Sequence, residues 1–478
     1  MPFYFSLERG VKQGDSLSPT LFNCFINDLH SEFDNHCDPL CLDKTYLSTL
    51  SFADDLVILS ETASGLQQAL NKLELYCHKW QLTVNTSKTK IIVFQKNAKA
   101  SQISNNFCYK NNILNEVKEF NFLGTIICHT GKFMSSQELS KKGLKALFSI
   151  KKYMSNFKHI PVELSCKLFD NLIRPIILYN SEIWYMDDYL SMYKALQRSN
   201  VSGKNVDILS FSDKPAFEKV HNKFCKSVLG VRKTSCNIAA KSELGRLPLD
   251  SFIKTQVICY FSRLNCIDIN PLVKEAFYLN KNLHTDGVYT WYSFARSVMT
   301  EFEIDYENFE NDNKSFKEIK LHIKREIKKT IKEKYDELVI NKISSFDASS
   351  KLYLYSKLKS DVNVSDYLNL QNFNSRRILT KLRISDHNLE IELGRYKNIP
   401  REQRLCKSCK ITDDEAHFFF HCQINNNIRR TFIDFIQTKY VNFNQLDAID
   451  KLIFVLNPNM DVLPMVVDFV KQSFELRQ

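Results

Sequence analysis

Two stretches of this chain carry residues whose types and spacing can do chemistry. In Thr49-Leu50-Ser51-Phe52-Ala53-Asp54-Asp55-Leu56-Val57-Ile58-Leu59-Ser60, adjacent carboxylates sit between short apolar runs rich in β-formers. This is the pattern of a hairpin with the acids at its tip. Neighbouring like charges repel, so the pair is wasteful unless a cation lies over it. Paired divalent ions about 3.5–4 Å apart, held by carboxylates, stabilise both the attacking and the leaving oxygen of an in-line displacement. Taken alone, Asp-Asp equally describes a solvated turn. The second stretch is Cys406-Lys407-Ser408-Cys409 with His417 and Cys422, a C-x2-C-x7-H-x4-C pattern. Three thiolates and an imidazole at these spacings can close a tetrahedral Zn2+ site with Zn–S distances of about 2.3 Å. His421 competes with His417, but its adjacency to Cys422 makes it the poorer geometric choice. A site closed by four protein ligands is structural, not catalytic.

The elements that must position these groups read as follows. Residues 3–7 form a short strand, and Arg9-Gly10-Val11-Lys12-Gln13-Gly14-Asp15-Ser16 a basic loop. Ser18 is the expected N-cap of a helix with Pro19 at its first position and Leu21, Phe22, Phe25, Ile26 and Leu29 as its apolar stripe. A basic loop with two glycines ahead of a helix suits the close approach of a phosphate, although it also describes a plain loop-to-helix cap. After the acidic hairpin, Ser64 and Gln67 fit a capping box, and Leu66, Leu70, Leu73, Cys77 and Trp80 mark one face of the next helix. A strand over Ile91–Phe94 follows, and then Phe107–Leu114 and Glu116–Ile127, which together suggest a second hairpin.

Composition sets outer bounds. At 478 residues, with 44% hydrophobic and 25% charged side chains, the chain is long enough for more than one folded domain, and wholesale disorder is not expected. Lys+Arg 65 against Asp+Glu 54 gives a net +11, which favours an anionic partner without requiring one. The cysteines outside 406–422 are scattered singly, as reduced core residues are, and no run of about 18 apolar residues marks a membrane span. Without a signal-peptide pattern at Met1–Arg9, the expected address is nuclear or cytoplasmic, not secreted.

The order of these segments resembles the palm of a reverse transcriptase from a non-LTR (LINE-type) retrotransposon. The residues that carry the likeness are Arg9-Gly10-Val11-Lys12-Gln13-Gly14-Asp15-Ser16-Leu17-Ser18-Pro19, then Phe52-Ala53-Asp54-Asp55, Asn85-Thr86-Ser87-Lys88-Thr89-Lys90, and Phe122-Leu123-Gly124. Each segment is weak alone; the four in family order are not. The resemblance implies RNA-directed DNA polymerase activity, a nucleotidyl transfer, with an RNA template, a DNA primer and deoxynucleoside triphosphates. It implies two Mg2+ ions on Asp54 and Asp55. It places Phe52 beside the primer terminus, Gln13 and Gly14 at the incoming nucleotide, and Phe122, Leu123 and Gly124 in the primer grip. Lys88 falls where a lysine could protonate the leaving pyrophosphate; a template contact is the alternative, and Lys90 competes for the part. The family's further catalytic Asp, on a strand before the Gly10–Pro19 loop, has no counterpart upstream of Arg9, where there is no Asp at all. The chain therefore reads as the C-terminal portion of such a polymerase, lacking fingers and the first catalytic motif. Its two-metal geometry is incomplete, and catalysis by this chain alone is not expected.

The expected fold is α+β: a partial palm of antiparallel sheet with helices over 1–130, and a helical thumb over 131–198. A mostly helical C-terminal region over 206–400, a CCHC zinc knuckle over 401–425 and a helical tail over 426–478 complete it. Leu139, Leu144, Leu147 and Ile150 space one thumb helix; Leu164, Leu168, Leu172 and Ile173 space another. Lys141, Lys142, Lys145, Lys151 and Lys152 give the first a basic face suited to duplex phosphates or simply to solvent. Ser199–Asn205 reads as a linker, and Phe217–Val231 as a helix ending at Gly230. Lys314–Lys334 reads as an amphipathic helix with nine Lys/Arg against three Glu. Knuckles of this kind contact single-stranded nucleic acid. The alternative function is a non-catalytic RNA- or DNA-binding remnant of the same element.

Overall fold

The structure is a computed structural model. It describes residues 10–477 apart from 13, 34–36, 43–44, 95–105, 156, 158–159, 202–208, 210–211, 267–269 and 306–315; the side chains of 195–201 and 316–324 also lie outside that description. Two compact units are present, one of Met1–Ser135, Phe261–Ser297 and Asp305–Phe316, the other of Ser136–Tyr260, Val298–Ile304 and Lys317–Gln478.

In the first unit, helix α1 (Ser18–Phe25) and a 3-10 turn (Leu29–Glu32) precede strands β1 (Leu40–Leu42), β2 (Thr45–Leu47), β3 (Thr49–Phe52) and β4 (Asp55–Ile58). Helix α2 (Ala63–Lys79) follows, then β5 (Lys90–Ile91), β6 (Cys108–Tyr109), β7 (Asn112–Ile113), β8 (Asn115–Glu116), β9 (Glu119–Phe122) and β10 (Thr125–Cys128). The expected antiparallel palm sheet is present, among the described residues, as five separate two-stranded ladders, and β5–β8 is parallel. Strands of two to four residues broken by Asn, Lys and Gly offer too few consecutive pairing positions for a broad sheet. Three of the ladders, β3–β4, β5–β8 and β6–β7, share one apolar core. Leu70, Leu73 and Cys77 of α2 meet Ile26, Leu29, Phe33, Ile91, Phe107, Tyr109 and Leu114, and Leu56 and Ile58 of β4 pack against the same cluster.

Two helix starts differ from the expectation. The N-cap of α1 is Leu17, and Pro19 is the second helical residue. Ser18 is drawn into the helix because its hydroxyl donates to the Lys12 carbonyl at 2.6 Å, which closes the preceding loop instead of capping. At α2 the cap is Thr62, whose hydroxyl accepts from Gly65 N at 3.0 Å. Gln67 bonds both backbone groups of Cys108, at 2.8 and 2.9 Å, and so ties β6 to the helix. A long-range partner outbids the local capping box. The apolar face of α2 is as expected, with Leu70, Leu73 and Cys77 buried. Strand β5 stops at Ile91, short of the expected Phe94.

The second unit is helical. Helix α3 (Ser135–Met154) buries Leu139 and Leu147. Gly143 lets it approach its neighbour closely, since a Cβ there would lie 2.0 Å from Ile177 Cγ2. Helix α4 (Val162–Leu168) runs through a π turn (Phe169–Ile173) into α5 (Arg174–Ile177). The extra residue of that π turn rotates the register. Ile173 is buried as expected, but Leu164 and Leu172 are 47% and 48% exposed, and Val162, Phe169 and Ile177 take core positions. Helix α6 (Ser181–Val201) extends into the expected linker. Helix α7 (Ala216–Leu229) ends at Gly230 in the left-handed conformation, φ 69°, as the sequence predicts. Then come α8 (Asn237–Glu243), α9 (Leu249–Leu264), α10 (Pro271–Thr285) and α11 (Trp291–Glu301), the last two chiefly in the first unit. Helix α12 (Phe316–Ser344) outruns the expected end at Lys334 and buries Ile327 and Ile331. Helices α13 (Tyr353–Leu358), α14 (Phe373–Arg383), α15 (Glu390–Tyr396), α16 (Asn426–Lys439), α17 (Ala448–Leu456) and α18 (Leu463–Leu476) complete the chain.

A buried ionic chain fastens this unit. Asp170 accepts from Arg246 at 2.7 Å, and Arg246 Nε donates to His221 Nε2 at 2.8 Å. His221 Nδ1 meets Glu218 at 3.0 Å, and Lys241 bridges Glu218 and Asp213 at 2.8 and 2.9 Å. Burial pushes His221 down to about 4 despite Glu218 beside it. Burial would raise Glu218, but Lys241 and His221 outweigh it and hold the carboxyl at about 2.

Candidate functional site

Strands β3 and β4 pair antiparallel with Phe52 opposite Asp55, so Ala53 and Asp54 are the two-residue loop. The acids stand at the tip of a hairpin, as the sequence predicts. Ala53 holds φ at 50°, a region non-glycine residues rarely occupy. Strand alternation sends Leu56 and Ile58 to the core and sets Phe52 and Asp55 on the opposite face, where Phe52 is 64% exposed. Asp54 and Asp55 are both exposed, and neither forms an ion pair among the described residues. His30, which the sequence reading did not single out, anchors the hairpin: Nδ1 lies 2.5 Å from Thr49 Oγ1 and Nε2 lies 3.1 Å from Ser51 Oγ. Asp28, by contrast, is engaged by the phenol of Tyr76.

The other palm residues occupy turns of the same unit. Gln13 lies outside the described residues. Gly14 is exposed at φ 85° with open space around it. Its loop is closed by Ser18 and by Leu17 N donating to Asp15 Oδ1 at 2.9 Å. Lys88 is exposed in a turn organised by Asn85, whose Oδ1 accepts from Lys88 N at 3.2 Å and Ser87 Oγ at 2.7 Å; Lys90 is half-buried on β5. Phe122 pairs with Thr125, leaving Leu123 and Gly124 as a two-residue loop at φ 48° and 80°, the signs of a type I′ turn. The fold thus brings Phe52, Asp54 and Asp55 together on one hairpin. Among the described residues it shows no hydrogen bond from them to Lys88 or to Phe122–Gly124.

The second site is assembled from two local devices. Cys406 N donates to Ile411 O at 2.8 Å and Lys410 N to Cys406 O at 3.0 Å, with Lys410 at φ 58°, a tight turn that presents Cys406 and Cys409 together. A π turn over His417–His421 then places His417 and Cys422, with Cys422 N donating to His417 O at 2.8 Å. The ligand atoms of Cys406, Cys409, His417 and Cys422 all lie within 4.8 Å of one another. His421, the competing ligand, is exposed and outside the cluster.

The donor set fits a borderline-soft divalent ion such as Zn2+. His417 is 3% exposed, and both ring nitrogens are buried without a hydrogen-bond partner. An imidazole left so is costly, and ligation of one nitrogen removes part of that cost. Burial pushes His417 below the ordinary imidazole range, against the pull of Asp413, so the neutral, ligating form is favoured. Burial would raise the Cys422 thiol, but the hydrogen bond and charge of Arg477 outweigh it and hold it low. Arg477, Asp413 and Arg429, whose guanidinium donates to the Cys422 carbonyl, were missed by the sequence reading. No local spacing links Arg477 to a ligand 55 positions away.

Sequence likeness, over the part of the chain that carries the acidic hairpin, gives the class of protein that this segment resembles. Residues 3–127 match the reverse transcriptase (RNA-dependent DNA polymerase) family, whose members are nucleotidyltransferases. More particularly, the relatives belong to mobile elements. The chain is 44% identical over 66 residues to a retrovirus-related Pol polyprotein from the type-1 retrotransposable element R2 of Nasonia vitripennis, covering 14% of this chain and 6% of that one. It is 25% identical over 162 residues to an uncharacterised transposon-derived protein of Caenorhabditis elegans, covering 34% and 57%. It is 26% identical over 127 residues to the RNA-directed DNA polymerase from mobile element jockey of Drosophila funebris, covering 25% and 13%. The likeness to non-LTR retrotransposon reverse transcriptases therefore holds at the level of family. The matched stretches span less than two thirds of each relative.

Proposed function

We propose that this chain takes part in RNA-templated DNA synthesis, with Asp54 and Asp55 as its metal-holding carboxylates. The observation that carries the reading is the pair of exposed, unpaired acids on a core-anchored hairpin inside the segment that matches the family. Mg2+ is commonly held by one or two carboxylates together with substrate phosphates, which suits two solvent-facing acids. When bound, such ions lower the charge barrier to attack of a primer hydroxyl on a triphosphate. The two-ion arrangement needs a further carboxylate besides these two. Phe52, on the same face as Asp55, offers an apolar surface to the primer terminus; Gln13 and Gly14 serve the incoming nucleotide; Lys88 serves the leaving group; Phe122, Leu123 and Gly124 grip the primer.

In this reading 1–130 act as palm and 131–198 as thumb, with Lys141, Lys142, Lys145, Lys151 and Lys152 exposed along α3 and available to duplex phosphates. Residues 206–400 form the helical C-terminal region, 401–425 a Zn2+ knuckle and 426–478 its helical support. Partners are RNA template, DNA primer and deoxynucleoside triphosphates, in a nuclear or cytoplasmic setting. Among the described residues, no helix is long and apolar enough to cross a membrane.

The test is primer extension on an RNA template with Mg2+, using the chain alone and the chain joined to an upstream segment that supplies a third acid. Extension by the joined chain, lost in Asp54→Asn/Asp55→Asn, is the expected result. Extension that survives both substitutions removes the metal assignment. Template binding without extension in either form favours the second reading, a non-catalytic nucleic-acid-binding protein, which the exposed basic face of α3 also supports.

A further inference from the structure

We infer that Arg477 is an integral part of the metal centre, a cationic latch through which ion binding and docking of helix α18 become one event. The inference rests on the reading of Cys406, Cys409, His417 and Cys422 as a Zn2+ site. Three thiolates and a neutral imidazole around a divalent ion leave a net charge of −1. Cys406, His417 and Cys422 are all buried, and a buried uncompensated charge is expensive. The structure supplies the compensation. Arg477 Nη2 lies 2.9 Å from Cys422 Sγ and 3.8 Å from Cys406 Sγ. Its other arm donates to Asp413 Oδ1 at 2.9 Å, and Asp413 Oδ2 accepts from Glu390 N at 3.0 Å. The guanidinium is thus aimed by a carboxylate that is itself held by the start of α15.

Arg477 caps the end of α18, a helix remote in sequence from the ligands. The same helix reaches the ligand-bearing π turn through aromatic contacts. Phe418, next to His417, lies 4.9 Å from Phe474 and 6.1 Å from Phe469 between ring centroids, and the Arg477 guanidinium sits 5.1 Å over the Phe418 ring. Metal binding converts thiols to thiolates, the stronger acceptors, and so strengthens the tie to Arg477. By linkage, a docked α18 must raise metal affinity by the same factor that metal raises docking.

The test uses the full chain, with Zn2+ affinity read by competition against a chromophoric chelator and hydrogen exchange followed over 463–477. Arg477→Met keeps bulk and removes charge. It is expected to weaken Zn2+ binding about 10- to 100-fold, the range for partners that orient metal ligands. Arg477→Lys, a point charge without the fork, is expected to recover part of the loss, and Asp413→Asn to weaken binding in the same direction. Stripping Zn2+ from the parent is expected to speed exchange in 463–477 more than in 249–264. A parent that binds one equivalent while Arg477→Met stays within twofold, or a tail whose exchange ignores Zn2+, overturns the latch alone. A parent that binds no Zn2+ overturns the metal reading and the latch with it.

Discussion

At the scale of single residues, the two sites differ in how their chemistry is exposed. Asp54 and Asp55 face solvent, whereas Cys406, His417 and Cys422 of the Cys/His cluster are buried. Burial agrees with the preference for His417 over His421 that the spacing already gives. One ring is inside with two unpartnered nitrogens, and the other is exposed beside Cys422. On the proposed Zn2+ reading, His417→Ala is therefore expected to lower bound Zn2+ from about one ion per chain to near none, while His421→Ala leaves it unchanged. Metal analysis of the purified proteins checks both, and equal content in the two variants would contradict the assignment. The ligand types were legible because C-x2-C and H-x4-C are local patterns. Arg477 and Asp413 were not, because an ion pair between remote segments leaves no periodic trace in sequence.

At the scale of elements, the two hairpins of the first unit solve the same turn problem differently. The β9–β10 loop sets Leu123 and Gly124 at φ 48° and 80°, and β3–β4 sets Ala53 at φ 50°. An L-residue at such angles is strained, so Gly124→Ala is expected to destabilise the unit by roughly 1 kcal/mol or more. Leu123→Gly is expected to be neutral or stabilising. Urea unfolding midpoints of the two variants distinguish the outcomes, and a Gly124→Ala variant as stable as its parent would refute the turn geometry. Hairpin positions were legible from alternating β-formers around short polar breaks. The α4–α5 register was not. Ile173 is buried as its spacing predicts, yet Leu164 and Leu172 are exposed, and across the π turn at Phe169–Ile173 the buried face includes Phe169 and Ile177 instead.

At the scale of the molecule, the helical unit is fastened by buried charge. With His221 pushed to about 4, the folded chain refuses a proton that the unfolded chain accepts below its ordinary 6.5. Stability is therefore expected to fall as pH drops from 6.5 to 4, by of order 3 kcal/mol from this group. Glu218, held at about 2, adds stability above its ordinary 4.5 that is lost as pH falls from 4.5 toward 2. Urea midpoints between pH 7.5 and 4 test the sign, and a flat profile would show that the Asp170–Arg246–His221–Glu218 chain does not carry this weight. Nothing in the spacing of Asp170, Glu218, His221, Lys241 and Arg246 announces the network, since its members come from four separate segments.

By itself the amino-acid sequence determined the chemistry available to this protein and much of its local form. Paired acids between β-formers make a hairpin tip, cysteines at x2 spacing make a tight metal-ready turn, and a glycine ends α7. Backbone hydrogen bonding and side-chain period act over a few residues and so are written in order along the chain. Tertiary structure alone decided which arginine lies against the cysteine sulfurs and which helix face is buried where a π turn breaks the period. Those choices depend on which distant segments exclude water together, and burial of that kind has no fixed spacing in sequence.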